Sequence, residues 1–144
     1  MSRRVFIDSS VFIEYGKNNP DAVRLVRRIM ELAATPCINA IVFSEALYIH
    51  IRERSGKPPE ALKRNPGLVR SVNLDDVERA LFSCVVLEED AEILKEAASP
   101  VKDYGLLPND ALILATAKRF GSQLATMDEY LKEVARRVGV DVVE

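Results

Sequence analysis

The 144-residue sequence predicts an α/β fold: a Rossmann-like α/β/α sandwich around a mainly parallel, five-stranded sheet, in one domain spanning residues 1–144. Two observations predict it. Short, β-leaning apolar runs alternate with longer segments whose apolar residues recur at helical spacing, the pattern of βαβ units. The 48% hydrophobic and 29% charged fractions describe an ordinary globule, long enough to bury a core without disulfide support.

Val5-Phe6-Ile7 reads as a buried strand that stops at a turn over Asp8-Ser9-Ser10. Asn19-Pro20 caps and opens a helix carrying Ala22, Leu25, Val26, Ile29, Leu32 and Ala33 on one stripe. Cys37-Ile38 is a second strand, and Asn39 caps a helix that runs to about Arg54 before Gly56 and Pro58-Pro59. Residues 57–82 read as short helices broken at Asn65-Pro66-Gly67. Cys84–Leu87 is the clearest β-branched run, followed by a helix from about Asp90 to Ala98, interrupted at Pro100. Pro108-Asn109-Asp110 opens a helix that Gly121 closes. Gln123–Thr126 reads as a strand, Glu129–Val138 as a helix and Val140–Val143 as the fifth strand.

The formal charge of −2 excludes a polycation that binds nucleic acid by bulk attraction. Two cysteines and one histidine, His50, suggest neither a disulfide framework nor a zinc site. The start, Met1-Ser2-Arg3-Arg4, leads straight into a strand without a signal-type apolar stretch, and no uncharged apolar run is long enough to span a membrane. A soluble, cytoplasmic protein is expected.

Certain carboxylates stand where apolar residues belong. Glu45 has Ile41, Val42, Tyr48 and Ile49 at three and four residues' distance, and Asp110 has Leu106, Leu107, Ile113 and Leu114. No lysine or arginine occupies either stripe at those spacings, and a buried, unpaired carboxylate is costly. Each acid also has a structural reading: Asp8 satisfying turn amides, Asp110 and Asp128 capping helices, Glu45 leaning to water. If the sheet is parallel, however, Asp8 and Asp128 follow strands at its carboxyl edge, where such folds bind ligands, while Glu45 and Asp110 project from flanking helices. Four crowded carboxylates call for a cation, and oxygen ligands favour Mg²⁺ or Mn²⁺. Such a centre can activate water and stabilise an in-line phosphoryl displacement.

The segments Phe6-Ile7-Asp8-Ser9-Ser10-Val11, Ser44-Glu45, Asn109-Asp110-Ala111-Leu112-Ile113-Leu114-Ala115-Thr116-Ala117 and Leu124-Ala125-Thr126-Met127-Asp128 resemble the PIN-domain family of metal-dependent ribonucleases. The resemblance runs from Val5 to about Val143. It implies Asp8, Glu45, Asp110 and Asp128 as the catalytic and metal-binding set, supported by Ser10, Thr126 and Asn109. Ser10 stands where many members carry Asn. A chain of this length looks like the toxin of a VapBC-type toxin–antitoxin pair, which implies an RNA substrate, a homodimer and an antitoxin partner.

Residues 52–70 carry a net +4 through Arg52, Arg54, Lys57, Lys63, Arg64 and Arg70, whereas residues 75–103 carry −6. The basic stretch follows the Glu45 helix and is a candidate RNA contact, with a solvated helical surface as its plain alternative. Phe12, Phe43, Tyr48 and Phe82 read as core or dimer contacts, and His50 as structural. Three other readings share this kind of fold. A catalytically silent PIN scaffold would show no carboxylate-dependent metal binding. A receiver-like signalling domain would want adjacent acids after the first strand, where Ser9-Ser10 stand, and a haloacid-dehalogenase-like phosphatase would want an acid at Ser10.

Overall fold

The computed structural model describes residues 3–144; of the Met1–Arg4 segment read for a signal stretch, Met1 and Ser2 lie outside the described residues. Four strands, β1 (Arg4–Ile7), β2 (Thr35–Ile38), β3 (Val85–Val86) and β4 (Gln123–Ala125), form a sheet of order β3-β2-β1-β4 in which every pairing is parallel. The expected fifth strand shrinks to one parallel bridge between Leu124 and Val142. Leu124 N–H donates to the Asp141 carbonyl at 2.8 Å and Val143 N–H to the Leu124 carbonyl at 2.9 Å, after Gly139 at φ 85° has turned the chain into the segment.

Side-chain alternation along β1 divides the core between the two faces of the sheet. Val5 and Ile7 pack with Val11, Leu25, Ile29 and Ala125, while Phe6 packs with Ile38, Val42, Leu114, Leu124 and Leu131 on the other side. The first face is covered by α1 (Ser9–Gly16) and α2 (Pro20–Glu31). Covering the second are α3 (Ala40–Ser55), α7 (Ala91–Tyr104), α8 (Pro108–Arg119) and α9 (Glu129–Arg137). Between α3 and β3 run three short helices: α4 (Pro59–Arg64), α5 (Pro66–Arg70) and α6 (Asp75–Phe82).

Three expectations change. The chain does not merely turn after β1; α1 starts at Ser9, with Asp8 in the N-cap position. Helix α7 continues through Pro100 to Tyr104, where Gly105 at φ 69° stops it. Proline removes only one ladder hydrogen bond there, and its ring is buried against the core. Finally, of the aromatics read as core or dimer contacts, Tyr48 and Phe82 are exposed and so lie outside the core, although Phe82 stacks on half-buried Phe43 with ring centroids 5.9 Å apart.

Candidate active site

From β1 the chain crosses to β2 on one side and later returns to β4 on the other, so the topology switches between β1 and β4. Parallel sheets open a crevice beyond the carboxyl ends of the strands at such a point. Asp8 leaves β1 there, and Thr126 and Asp128 leave β4 beside it, with the Asp8 amide bonded to the Ala125 carbonyl at 2.9 Å. Glu45 lies in the second turn of α3, and Asp110 in the first turn of α8. A buried hydrogen bond of 3.1 Å from Asn39 Nδ2 to Thr116 Oγ1 ties those two helices together, while Asn39 Oδ1 caps α3 through the Val42 amide at 3.0 Å.

Asp8 is 3% exposed and makes no cap bond to the helix it precedes. Hydroxyls hold it instead: Ser10 Oγ and Thr126 Oγ1 each donate to Asp8 Oδ2 at 2.7 Å. Backbone amides set the direction of those donors, with Met127 N–H donating to Ser10 Oγ at 3.0 Å and Asp128 N–H to Thr126 Oγ1 at 3.1 Å. Both hydroxyls therefore offer their protons to one carboxylate oxygen and leave Oδ1 more open. Ser9 Oγ stands 3.5 Å from Oδ1, at the limit of hydrogen bonding, and gives its proton over 3.0 Å to Glu45 Oε1. Asn109 Nδ2 donates to Glu45 Oε2 at 3.1 Å, so both oxygens of Glu45 are held.

Asp110 makes no side-chain cap bond in α8, so the capping reading fails for it, as the turn-amide reading fails for Asp8. Asp128 does cap α9, accepting from the Leu131 amide at 3.1 Å. Glu45 sits at the border of the buried stripe of α3, half-buried between buried Val42 and Ala46 and exposed Tyr48, and not at the stripe's centre. Leu107 in the Asp110 stripe is likewise exposed, at 73%.

The other three carboxylates act on Asp110. Burial, followed by the charges of Asp8, Asp128 and Glu45, pushes the Asp110 carboxyl up to about 6 from an ordinary 3.8. Among the described residues no lysine, arginine or histidine lies within salt-bridge distance of any of the four. The first turns of α1, α8 and α9 adjoin the group, and their dipoles favour negative charge without neutralising it. No three acids, histidines or cysteines among the described residues form a ready-made metal cage. Mg²⁺ needs none, because it keeps several waters and takes one or two carboxylates directly. The donor set, all oxygen and short of positive charge, suits a hard divalent cation.

Ser10, Thr126 and Asn109, the supporting residues expected from the sequence, all join the acidic group. Ser9, which links Asp8 to Glu45, is not among them; its sequence signal is its place directly after Asp8. The basic residues lie further off. Arg52 and Arg54 are in the last turn of α3, with Arg52 seven residues and roughly 10 Å of helix beyond Glu45. Lys57, Lys63, Arg64 and Arg70 follow on the α4–α5 segment, and among the described residues none of the six pairs with an acid. His50 bonds the Asn73 carbonyl through Nε2 at 2.9 Å, a structural role.

A PIN-domain family profile matches residues 5–137. Ribonuclease VapC2 of Methanocaldococcus jannaschii is 31% identical over 132 residues, covering 91% of this chain and 89% of that protein. DNA-bound VapBC from Salmonella typhimurium has a TM-score of 0.64 and 23% identity, covering 99% of this chain and 97% of that one. A toxin–antitoxin complex from Klebsiella pneumoniae has a TM-score of 0.60 and 17% identity over 86% of each chain. At those identities the two solved structures speak for the fold alone.

Proposed function

This chain belongs to the PIN-domain family, and from that premise we propose that it is an endoribonuclease dependent on Mg²⁺ or Mn²⁺, acting as the toxin of a toxin–antitoxin pair. The observation that carries the reading is the gathering of Asp8, Glu45, Asp110 and Asp128 near the switch point with no cation among the described residues paired to them. Similarity to a protein named as a ribonuclease supports the reaction class. An antitoxin partner is in keeping with a fold also found in structures titled VapBC and toxin–antitoxin complex, and a homodimer acting in the cytoplasm completes the proposal.

When bound, a divalent ion supplies Lewis acidity and offsets charge on a phosphodiester and its attacking water. The chain's residues do the positioning. Ser10 and Thr126 pin one oxygen of Asp8, leaving the other directed by position instead of by its own rotamer freedom. Ser9 and Asn109 fix both oxygens of Glu45, and α8 delivers Asp110. Water's oxygen forms a bond to phosphorus as the bond to the 3′ oxygen breaks, and the proton passes to that leaving oxygen. The products carry a 5′-phosphate and a 3′-hydroxyl. The basic stretch from Arg52 to Arg70 would meet the flanking RNA phosphates.

The test is cleavage of RNA by metal-stripped protein with Mg²⁺ or Mn²⁺ restored, followed by end-group analysis. Cleavage that needs the metal and leaves 5′-phosphates is expected. Cleavage that persists in chelator, or that leaves 2′,3′-cyclic ends, contradicts the mechanism.

A further inference from the structure

At the opposite end of the sheet from the acidic group, the amino ends of β1 and β4 open into a cavity of about 860 Å³, within the size range of small-molecule sites. Asp8 is four residues, roughly 13 Å of strand, from Arg4 at its rim. Arg3, Arg4 and Arg28 line the cavity together with Phe120, Gln123 and Asp141. Among the described residues neither Arg3 nor Arg4 pairs with an acid, and Arg28 has only a solvent-exposed contact with Glu31 at 3.8 Å, which is worth little. Gln123 Oε1 is shut off from solvent there without a hydrogen-bond partner among the described residues. A folded chain seldom leaves a shielded amide oxygen unsatisfied.

We propose that this cavity binds a ribonucleotide phosphate, presented either by a free mononucleotide or by a nucleotide within an RNA strand. The chemistry of the lining divides as such a ligand requires. Planar guanidinium groups match phosphate oxygens in pairs. A carboxylate such as Asp141 accepts from ribose hydroxyls, as acidic residues do in dinucleotide sites. The Phe120 ring offers a face for a base. The site is separate from the acidic centre, and it stands whether or not that centre cleaves RNA.

Binding of adenosine 5′-monophosphate and of a short single-stranded RNA is measured by calorimetry without divalent metal. The wild type, the double variant Arg4→Gln/Arg28→Gln and, as a separate arm, Arg79→Gln, an exposed arginine of α6 outside the cavity, are compared. Both cavity arginines are exposed, so the double variant retains the fold. It should weaken binding at least tenfold, Arg79→Gln should leave it within twofold, and 2′-deoxyadenosine 5′-monophosphate should bind more weakly than its ribose counterpart. Arginine-dependent binding of the monophosphate assigns the site to free nucleotide; the same dependence with RNA alone assigns it to the strand. Affinity for both probes unchanged in the double variant, or equally weakened in Arg79→Gln, overturns the proposal.

Discussion

Thr126 Oγ1 donates a 2.7 Å hydrogen bond to Asp8 Oδ2, joining the ends of two adjacent parallel strands across 118 residues of sequence. The same hydroxyl accepts from the Asp128 amide at 3.1 Å, so one buried side chain orients the first and last acids of the group. Thr126→Val keeps the volume and removes both bonds. It should cost about 1–3 kcal/mol in urea unfolding and lower Mn²⁺ affinity by roughly 10- to 100-fold. Unchanged Mn²⁺ affinity would assign the hydroxyl to folding alone.

Asp110 gives a pH signature. Its carboxyl is raised in the folded protein to about 6 from 3.8, so between those values the folded chain keeps a proton that the unfolded chain releases. Stability from this group is therefore present at low pH and lost as pH rises towards about 6. Asp110→Asn should abolish that slope and, without metal, exceed the wild type by about 1–2 kcal/mol at neutral pH, the figure being reduced for solvent screening at a half-buried site. Parallel pH profiles of the melting temperature for the two proteins would contradict the electrostatic account.

Glu45 depends on two neighbours of unequal burial. Ser9 is buried and Asn109 exposed, yet each holds one Glu45 oxygen. Asn109→Ala should change stability by less than about 0.5 kcal/mol, as surface substitutions do, while cutting cleavage roughly tenfold. Ser9→Ala should lose more of both. Wild-type kcat in Asn109→Ala would show that Glu45 needs no anchor.

The parallel α/β architecture and the candidate acids at the carboxyl edge of its sheet were legible because apolar periodicity and misplaced charge are local signals. What Asp8 and Asp110 do was less so. Both sit where a helix begins, which reads as capping, and only the tertiary arrangement shows that hydroxyls engage the first and like charges surround the second. The Ser9–Glu45 bond spans 36 residues and leaves no periodic trace. Helix α1 was hidden because the Asp-Ser-Ser run carries turn chemistry, and its covering role depends on Val11 meeting α2 residues across the sheet face. The fifth strand is a partial case: its valines suggested pairing, and the segment pairs with β4 through one bridge at Leu124, held by two backbone bonds.

The basic stretch predicts a salt effect. Lys63 and Arg64 are exposed on α4 and free of acid partners among the described residues. If they contact RNA phosphates, Lys63→Ala/Arg64→Ala should lower the slope of log affinity against log salt by about 1–2, with little change in kcat. An unaltered slope would leave these side chains as solvated surface.

The most direct measurement compares RNA cleavage by the wild type, Asp8→Asn and Asp110→Asn at saturating Mn²⁺, with circular dichroism verifying each fold. A centre assembled from these carboxylates predicts that each variant stays folded and loses at least about 100-fold in rate, on the order of 3 kcal/mol of transition-state stabilisation. Folded variants that cleave at the wild-type rate would contradict it.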